Sequence, residues 1–144
     1  RRRISDTRPR FNATVNEHAR LAQAFSTALS SENPNALIAC LKPDAVLLSD
    51  GGGKAAAALN PIFSADHITR FFFGIARKFQ VPMLPQPITI NGQPGFALIY
   101  EGQLHSLISM NIEDGQIATI YVMRNPDKIA RAADTLGLKL MPNP

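Results

Sequence analysis

The sequence predicts an α+β fold in which helices cover a bent, mainly antiparallel sheet. Residues 1–80 contain helical patterns interrupted by one hairpin, whereas residues 88–123 contain consecutive strand patterns separated by short turns. Helices and strands grouped in this way favour an α+β fold over a parallel βαβ sheet. The chain has 144 residues, 45% of them hydrophobic, which suits one domain with a substantial core.

Three helices are predicted before the strands. Thr14 and Glu17 have the spacing of a capping box, and apolar residues recur at helical intervals to about Ser30. Asn33 and Pro34 begin a second helix, which extends to Leu41. Ser64 caps a third helix, and its apolar face comprises Ile68, Phe71, Phe72, Ile75 and Phe79.

The strands are predicted from alternation and turn signals. A hairpin joins Ala45–Ser49 to a strand that begins at Lys54, and residues 81–87, with three prolines, form a connector. Later strands and the last helix are predicted at Ile88–Ile90, Phe96–Glu101, Leu104–Ile112, Ile117–Met123 and Pro126–Leu136. In the long strand, one face is predicted to carry Leu104, Ile108, Met110 and Ile112, and the other His105, Leu107, Ser109 and Asn111. Gly137 is expected to end the last helix.

The net charge of +4 comes from the first ten residues. They contain five of the fifteen basic residues and one of the eleven acidic residues, so the rest of the chain holds ten of each. Such a segment attracts nucleic acid without sequence preference, but a solvated leader is the simpler interpretation. The sequence has no membrane-spanning apolar run, no signal-peptide pattern and a single cysteine, Cys40, for which we expect a buried packing role. These features predict a cytoplasmic protein.

The stretch from Asp50 through Gly51, Gly52 and Gly53 to Lys54 lies between two apolar runs. Three successive glycines carry a high conformational entropy, so an ordered structure must need a backbone without Cβ atoms there. The glycines could form the tip of a hairpin. They could also form a bare loop against which another surface packs, and the two explanations are compatible. The spacing does not match a phosphate-binding loop.

A bent sheet covered by helices encloses a pocket, and we expect Asp50, Phe72, Tyr100, His105 and Tyr121 to line it. An acid in such a pocket can have a raised pKa and act as a general acid or base. The sequence, however, offers no paired carboxylates, no Ser-His-Asp pattern and no spacing typical of metal ligands. It therefore predicts no catalytic residue, no metal ion and no cofactor.

Two motifs carry a family resemblance. Asp50–Lys54 is identical to an Asp-Gly-Gly-Gly-Lys motif, and Asn125, Pro126, Asp127 and Lys128 match an Asn-Pro-Asp-Lys-Leu motif in which Ile129 replaces leucine. The chain thus resembles, over residues 8–136, the C-terminal extension of a group of extracytoplasmic-function RNA polymerase sigma factors. That extension is similar to SnoaL-like polyketide cyclases and to nuclear-transport-factor-2-like folds.

The resemblance implies a cone-shaped, cystatin-type roll at residues 13–144, preceded by a basic linker at 1–12 left from sigma region 4. It implies regulation of transcription initiation through contact with sigma regions 2 and 4 of the same full-length chain. RNA polymerase core and promoter DNA would be reached through those regions, without a membrane partner. We further expect the two motifs to be adjacent in space.

Three questions stay open after the resemblance. A homodimer and a small-molecule ligand are both compatible with it. The alternative function is that of a SnoaL-like enzyme, an isomerase, polyketide cyclase or epoxide hydrolase acting on a small apolar substrate. A plain dimerisation module is the third interpretation.

Overall fold

The computed structural model describes residues 15–50, 61–78 and 83–140. The helices in these ranges are α1 (Val15–Ser30), α2 (Pro34–Cys40), α3 (Ala65–Arg77) and α4 (Pro126–Leu136). The strands are β1 (Leu41–Asp50), β2 (Ile62–Phe63), β3 (Leu84–Ile90), β4 (Gln93–Tyr100), β5 (Gln103–Glu113), β6 (Gln116–Met123) and β7 (Lys139–Leu140). The described helices include none that is long and apolar enough to cross a membrane.

The strands form one curved, unclosed and mostly antiparallel sheet in the order β2-β1-β6-β5-β4-β3. Consecutive strands from β3 to β6 pair as a meander, joined by turns in which Gly92, Gly102 and Gly115 have positive φ. The pairing of β1 with β6 is parallel. The short β7 pairs in parallel with the first residues of β5, Gln103 and Leu104. The predicted α+β fold is thus confirmed.

The main core lies between the sheet and helices α1 to α3, on the face that we call the inner face. At its centre the Phe25 ring lies 5.3 Å from the ring of Phe72 and 5.4 Å from that of Phe96, measured between centroids. These three side chains come from α1, α3 and β4, and each is at most 3% exposed. Burial of such large apolar surfaces is the main force that holds helices on a sheet.

The opposite face, which we call the outer face, is partly covered by α4. Ile129 and Ala133 of this helix join a second apolar cluster with Ala97, Leu104 and Leu107 from the sheet. Both faces of the meander are therefore apolar because two different sets of helices cover them. The apolar residues of the outer face could by themselves suggest a partner subunit or domain, but α4 of the same chain covers part of this face.

A β-bulge at His105 corrects the predicted faces of β5. Leu98 pairs with Ser106 and Ile99 with Leu104, which leaves His105 as the extra residue. An extra residue shifts the alternation, so Leu104 lies on the outer face with Leu107, whereas Ile108, Met110 and Ile112 are in the inner core as predicted. The prediction assumed that side chains alternate strictly between the two faces of β5, and strict alternation cannot show a bulge.

The predicted helices are close to the observed ones, whereas the strands are longer than predicted, above all β1 and β3. β1 begins at Leu41 and passes through Pro43, where its pairing with β6 is irregular. β3 includes Pro85 and Pro87 of the predicted connector, because it is an edge strand and tolerates residues without an N–H group. The strand predicted to begin at Lys54 and the Phe79 side chain lie outside the described residues.

Candidate functional site

The candidate site is built where β1 and β6 end side by side. Because these neighbours are parallel, their carboxyl ends meet at one edge of the sheet, and Asp50 pairs there with Met123. Asp50 is the residue before Gly51, and Met123 is followed by Arg124 and Asn125. Parallel pairing thus brings the first residue of one motif beside the start of the other.

Backbone hydrogen bonds fix this junction. The Asp50 carbonyl oxygen accepts from the backbone N–H groups of Arg124, at 2.8 Å, and Asn125, at 3.0 Å. Asn125 caps α4, since its Oδ1 accepts from the Asp127 N–H at 3.0 Å, and Pro126 occupies the first turn, where no N–H is needed. The end of β1 therefore positions the start of α4.

A side-chain ion pair joins the same two segments. Lys128 Nζ donates to Asp50 Oδ2, and both side chains are partly exposed. A cation in the first turn of a helix is disfavoured by the helix dipole, whereas the Asp127 carboxylate in the same turn is favoured. The Asp50 carboxylate offsets the unfavourable position of Lys128. We call Asp50, Arg124, Asn125, Asp127 and Lys128 the Asp50 junction.

Arg124 is the partly buried basic group of the junction. Burial lowers the pKa of the Arg124 guanidinium, and this group in turn acts on His105. Burial of His105, together with the nearby positive charge of Arg124, lowers the pKa of the imidazole from 6.5 to about 4. His105 Nδ1 is 2.9 Å from the hydroxyl oxygen of the fully buried Ser106. His105 is therefore neutral at physiological pH.

The outer face beside the junction carries an apolar patch that α4 does not cover. Leu48 of β1 pairs with Tyr121 of β6, and Phe63 of β2 pairs with Val46, two residues before Leu48. Phe63 is 61% exposed, Tyr121 41% and Leu48 37%. We call Leu48, Phe63 and Tyr121 the outer-face patch. Exposed apolar residues that are contiguous in this way are typical of an interaction surface.

A cavity of about 670 Å³ lies on the inner side, between the helices and β4. Its lining is mainly apolar, with the buried hydroxyl of Thr69 and the charged side chains of Glu32, Arg70 and Arg77 as the polar exceptions. The apolar lining is provided by Leu29, Pro34, Phe72, Phe73, Gly74, Ile75, Ala76, Met83 and Leu98. The volume is in the range of small-molecule pockets.

Comparison with known proteins gives structural neighbours but no match by sequence. No protein-family model and no curated protein matches the chain. The extracytoplasmic-function sigma factor SigJ of Mycobacterium tuberculosis superposes with a TM-score of 0.64 and 21% identity, over 78% of this chain and 44% of that one. A putative polyketide cyclase from Sinorhizobium meliloti superposes with a TM-score of 0.54 and 18% identity, over 76% of this chain and 98% of that one. A SnoaL-like protein of Burkholderia thailandensis superposes with a TM-score of 0.58 and 11% identity, over 76% of this chain and 95% of that one.

The fold is SnoaL-like, of the nuclear-transport-factor-2 type. Sequence identities this low support a common fold and do not extend to function. The chain spans less than half the length of SigJ but nearly the whole length of the other two proteins. The same SnoaL-like fold thus occurs within a sigma factor and as a separate protein.

Within this SnoaL-like fold, the predicted site residues separate into three places. Asp50, Asn125, Pro126, Asp127 and Lys128 are brought together at the Asp50 junction, whereas Gly51, Gly52, Gly53 and Lys54 lie outside the described residues. The predicted adjacency of the two motifs therefore holds for Asp50. The contact role of these residues remains a prediction.

The predicted pocket lining needs correction. Phe72 lines the cavity, but Tyr100, His105, Tyr121 and Asp50 are not among its lining residues. Tyr121 belongs to the outer-face patch because its neighbours Ile120 and Val122 point into the inner core. The bulge at His105 places the imidazole beside Ser106 and Arg124, away from the cavity.

Sequence reasoning missed Thr69 and Arg124. Thr69 is on α3 one residue after Ile68 and therefore beside the predicted apolar face, which could have marked it as partly buried. Arg124 immediately precedes the second motif, but nothing in the sequence indicates that the bulge brings His105 near it. The positions of both depend on tertiary packing.

Proposed function

We propose that this chain is the C-terminal regulatory domain of an extracytoplasmic-function sigma factor, which modulates transcription initiation through contact with sigma regions of the same polypeptide. The observation that carries the proposal is the Asp50 junction. Asp50, the first residue of one motif, there accepts two backbone hydrogen bonds from Arg124 and Asn125 and forms an ion pair with Lys128 of the other motif, 78 positions away. A junction in which charged side chains are partly exposed at the edge of a sheet suits a contact surface.

The position of the outer-face patch supports the same proposal. Leu48 precedes Asp50 by two residues on β1, so the patch and the junction form one continuous surface at the end of the sheet. An apolar area rimmed by Asp50, Asp127 and Lys128 has the anatomy of a protein interface, with an apolar centre and a charged rim. The sigma regions of the same chain are the partner that we propose for it.

The likeness to SigJ adds support at the level of fold, since there a domain of this shape belongs to a longer sigma factor. Contact within one polypeptide needs little intrinsic affinity, because a linker keeps the effective concentration high. A free-energy difference of a few kcal/mol between two arrangements of this domain and the sigma regions is enough to change the activity of the factor. Regulation in cis through a modest surface is therefore energetically reasonable.

Transcription with the full-length factor and RNA polymerase core tests the proposal. Asp50→Asn, Lys128→Met and Gly52→Asp are expected to change transcription several-fold. Asp44→Asn and Lys139→Met alter exposed charges elsewhere in the described residues and serve as matched controls. Unchanged transcription in all junction variants, with the domain still folded, would contradict the proposal.

Two further measurements separate the alternatives. The coding sequence upstream of Arg1 should contain patterns of sigma regions 2 and 4. A SnoaL-like enzyme is the alternative function and would use the inner cavity, so turnover of an apolar ketone or epoxide by the purified chain would favour it. A dimerisation module predicts a concentration-dependent homodimer in sedimentation and no transcriptional effect of junction variants.

A further inference from the structure

Of the three longer helices, α1, α3 and α4, the last has the smallest buried face. The buried residues of α4 are Ile129 and Ala133, and all its other residues are at least partly exposed. By comparison, α1 has six buried residues and α3 has four. Since burial of apolar surface is the main force that holds a helix on a sheet, α4 should detach from its neighbours more easily than α1 or α3.

Both ends of α4 are attached to the sheet through short connections. At its start, the Asp50 carbonyl oxygen accepts from two backbone N–H groups, and Lys128 forms with Asp50 a partly exposed ion pair that water screens. After its end, Gly137 turns the chain, and the two residues of β7 pair with β5. The segment from Pro126 to Leu140 therefore lies on the sheet as one unit between two short attachments.

The sheet beneath α4 is apolar and continuous with the outer-face patch. Ala97, Leu104 and Leu107 are at most 6% exposed and belong to the same apolar cluster as α4. Leu107 pairs with Met123, which follows Tyr121 of the patch by two residues on β6 and so lies on the same face. Removal of α4 would thus leave one apolar surface that extends from β4 to the patch.

We propose that α4 and β7 form a displaceable cover of the outer face, which opens as one unit while the inner core stays folded. The Asp50 junction holds the closed state. Opening separates Lys128 from Asp50 and exposes Ala97, Leu104 and Leu107 to water. This inference rests on the proposed function only for its consequence, which is that the apolar surface available to the sigma regions is larger in the open state.

The opening of α4 is measured on this chain without transcription, so the two proposals can fail separately. If α4 opens but all junction variants leave transcription unchanged, the proposed function is contradicted and the inference stands. If transcription depends on the junction but α4 opens only when the whole chain unfolds, the inference is overturned and the proposed function stands.

Two alanines of equal burial provide a matched test. Ala133 on α4 and Ala28 on α1 are both 2% exposed, so a cysteine at either position is inaccessible in the closed structure. The variants Ala133→Cys and Ala28→Cys are alkylated with iodoacetamide, and each rate is divided by the rate of the same thiol in concentrated urea. Cys40, which is buried on α2, is the internal reference in both proteins.

When reclosing is faster than alkylation, the rate measures the population of the open form. The new thiol of Ala133→Cys should react at least about tenfold faster than that of Ala28→Cys, because only the first becomes accessible when α4 detaches. The Ala28→Cys thiol should react no faster than Cys40. Equal normalised rates for Ala133→Cys and Ala28→Cys would overturn the proposal.

The caps of two helices test whether the junction controls this opening. Asn125→Ala removes the cap of α4 and should speed the alkylation of Ala133→Cys about fivefold. Asn33→Ala removes the equivalent cap of α2, where Asn33 Oδ1 accepts from the Ala36 N–H at 3.1 Å, and should leave that rate unchanged. An equal response to both caps would mean that α4 opens only with the rest of the fold, which would overturn the proposal.

Hydrogen exchange of the original chain decides the question if the cysteine variants do not fold. A detached helix of 11 residues is marginal in water, so the amides of Ala132 and Ala133 exchange when α4 opens. Their exchange should depend only weakly on urea, because detachment of one helix exposes little surface. The amides of Ile108 and Ile120, in the central strands, should show the full urea dependence of global unfolding. The same urea dependence at all four amides would overturn the proposal.

Discussion

Lys128 and Asp50 are 78 positions apart in sequence, and the Lys128 ammonium donates directly to the Asp50 carboxylate. The pair links the first turn of α4 to the last residue of β1, immediately before Gly51-Gly52-Gly53. The Lys128 side chain is 56% exposed and that of Asp50 is 37% exposed, so water screens their attraction. Its contribution to folding should therefore be small, and its value lies in the surface that it presents.

The first prediction concerns the strength of this ion pair. A double-mutant cycle with Asp50→Asn and Lys128→Met should give a coupling free energy below about 1 kcal/mol, since exposed pairs rarely exceed this value. The coupling should fall further between low and high salt. Urea unfolding of the four proteins measures it. A coupling well above this range, insensitive to salt, would mean that the pair stabilises the fold.

The second prediction compares two glycines. A Cβ atom at Gly95 would lie 2.5 Å from the Ile108 carbonyl oxygen and 2.9 Å from Ile90 Cδ1, whereas one at Gly74 would meet nothing within 4 Å. Gly95→Ala should lower the free energy of unfolding by about 1–3 kcal/mol, because the backbone of β5 cannot move aside cheaply. Gly74→Ala should raise it by about 0.5–1 kcal/mol, because alanine favours the helix.

Thermal and urea unfolding of both variants provide the test, with each glycine serving as the control for the other. Equal effects at Gly95 and Gly74 would contradict the close packing of β4 on β5 at this point. A loss of stability at Gly74 would instead indicate that the end of α3 is more crowded than its surroundings show.

Local signals predicted most of the fold. Asn33, Ser64 and Asn125 each accept a hydrogen bond from the backbone of the helix that they were expected to cap, and Gly137 ends α4 with positive φ. Such residues act within one turn, so the sequence alone determines their role. The two motifs carry information over a longer range, because the resemblance predicts that Asp50 and Lys128 are adjacent, as they are in the structure.

Features that depend on distant neighbours were not predicted. The bulge at His105 arises from the mismatch between β4 and β5, and it changes the face on which Leu104 lies. The cavity is lined by residues of α1, α3 and β4, such as Leu29, Phe72 and Leu98, which no periodicity brings together. Pairing partners and cavities are properties of the assembled chain, so residues assigned to a pocket from composition, such as Tyr121, were misplaced.

The third prediction concerns acid stability. His105 has a pKa of about 4 in the folded chain against 6.5 for an ordinary histidine, because burial and Arg124 oppose its protonation. As the pH falls below 6.5, the unfolded chain therefore takes up this proton first. The stability that neutral His105 provides should be lost progressively between pH 6.5 and 4, by up to about 3 kcal/mol.

Urea unfolding between pH 7 and 4 should show a shallower loss of stability for His105→Asn than for the original chain. Burial also lowers the pKa of His18, so part of the slope should remain in the variant. The NMR titration of His105 gives the direct measurement. A midpoint near 6.5 in the folded chain would contradict the buried position of the imidazole.

The fourth prediction concerns Cys40. The thiol is buried at the end of α2, its Sγ–H donates to the Ala36 carbonyl oxygen at 3.4 Å, and burial raises its pKa. A thiol that is both protonated and inaccessible reacts only when the fold opens, because the thiolate is the nucleophile. Alkylation of the folded chain at pH 8 should therefore be at least about a hundredfold slower than in concentrated urea. An equal rate in the two states would place Cys40 at the surface and remove the packing role that the sequence predicts for it.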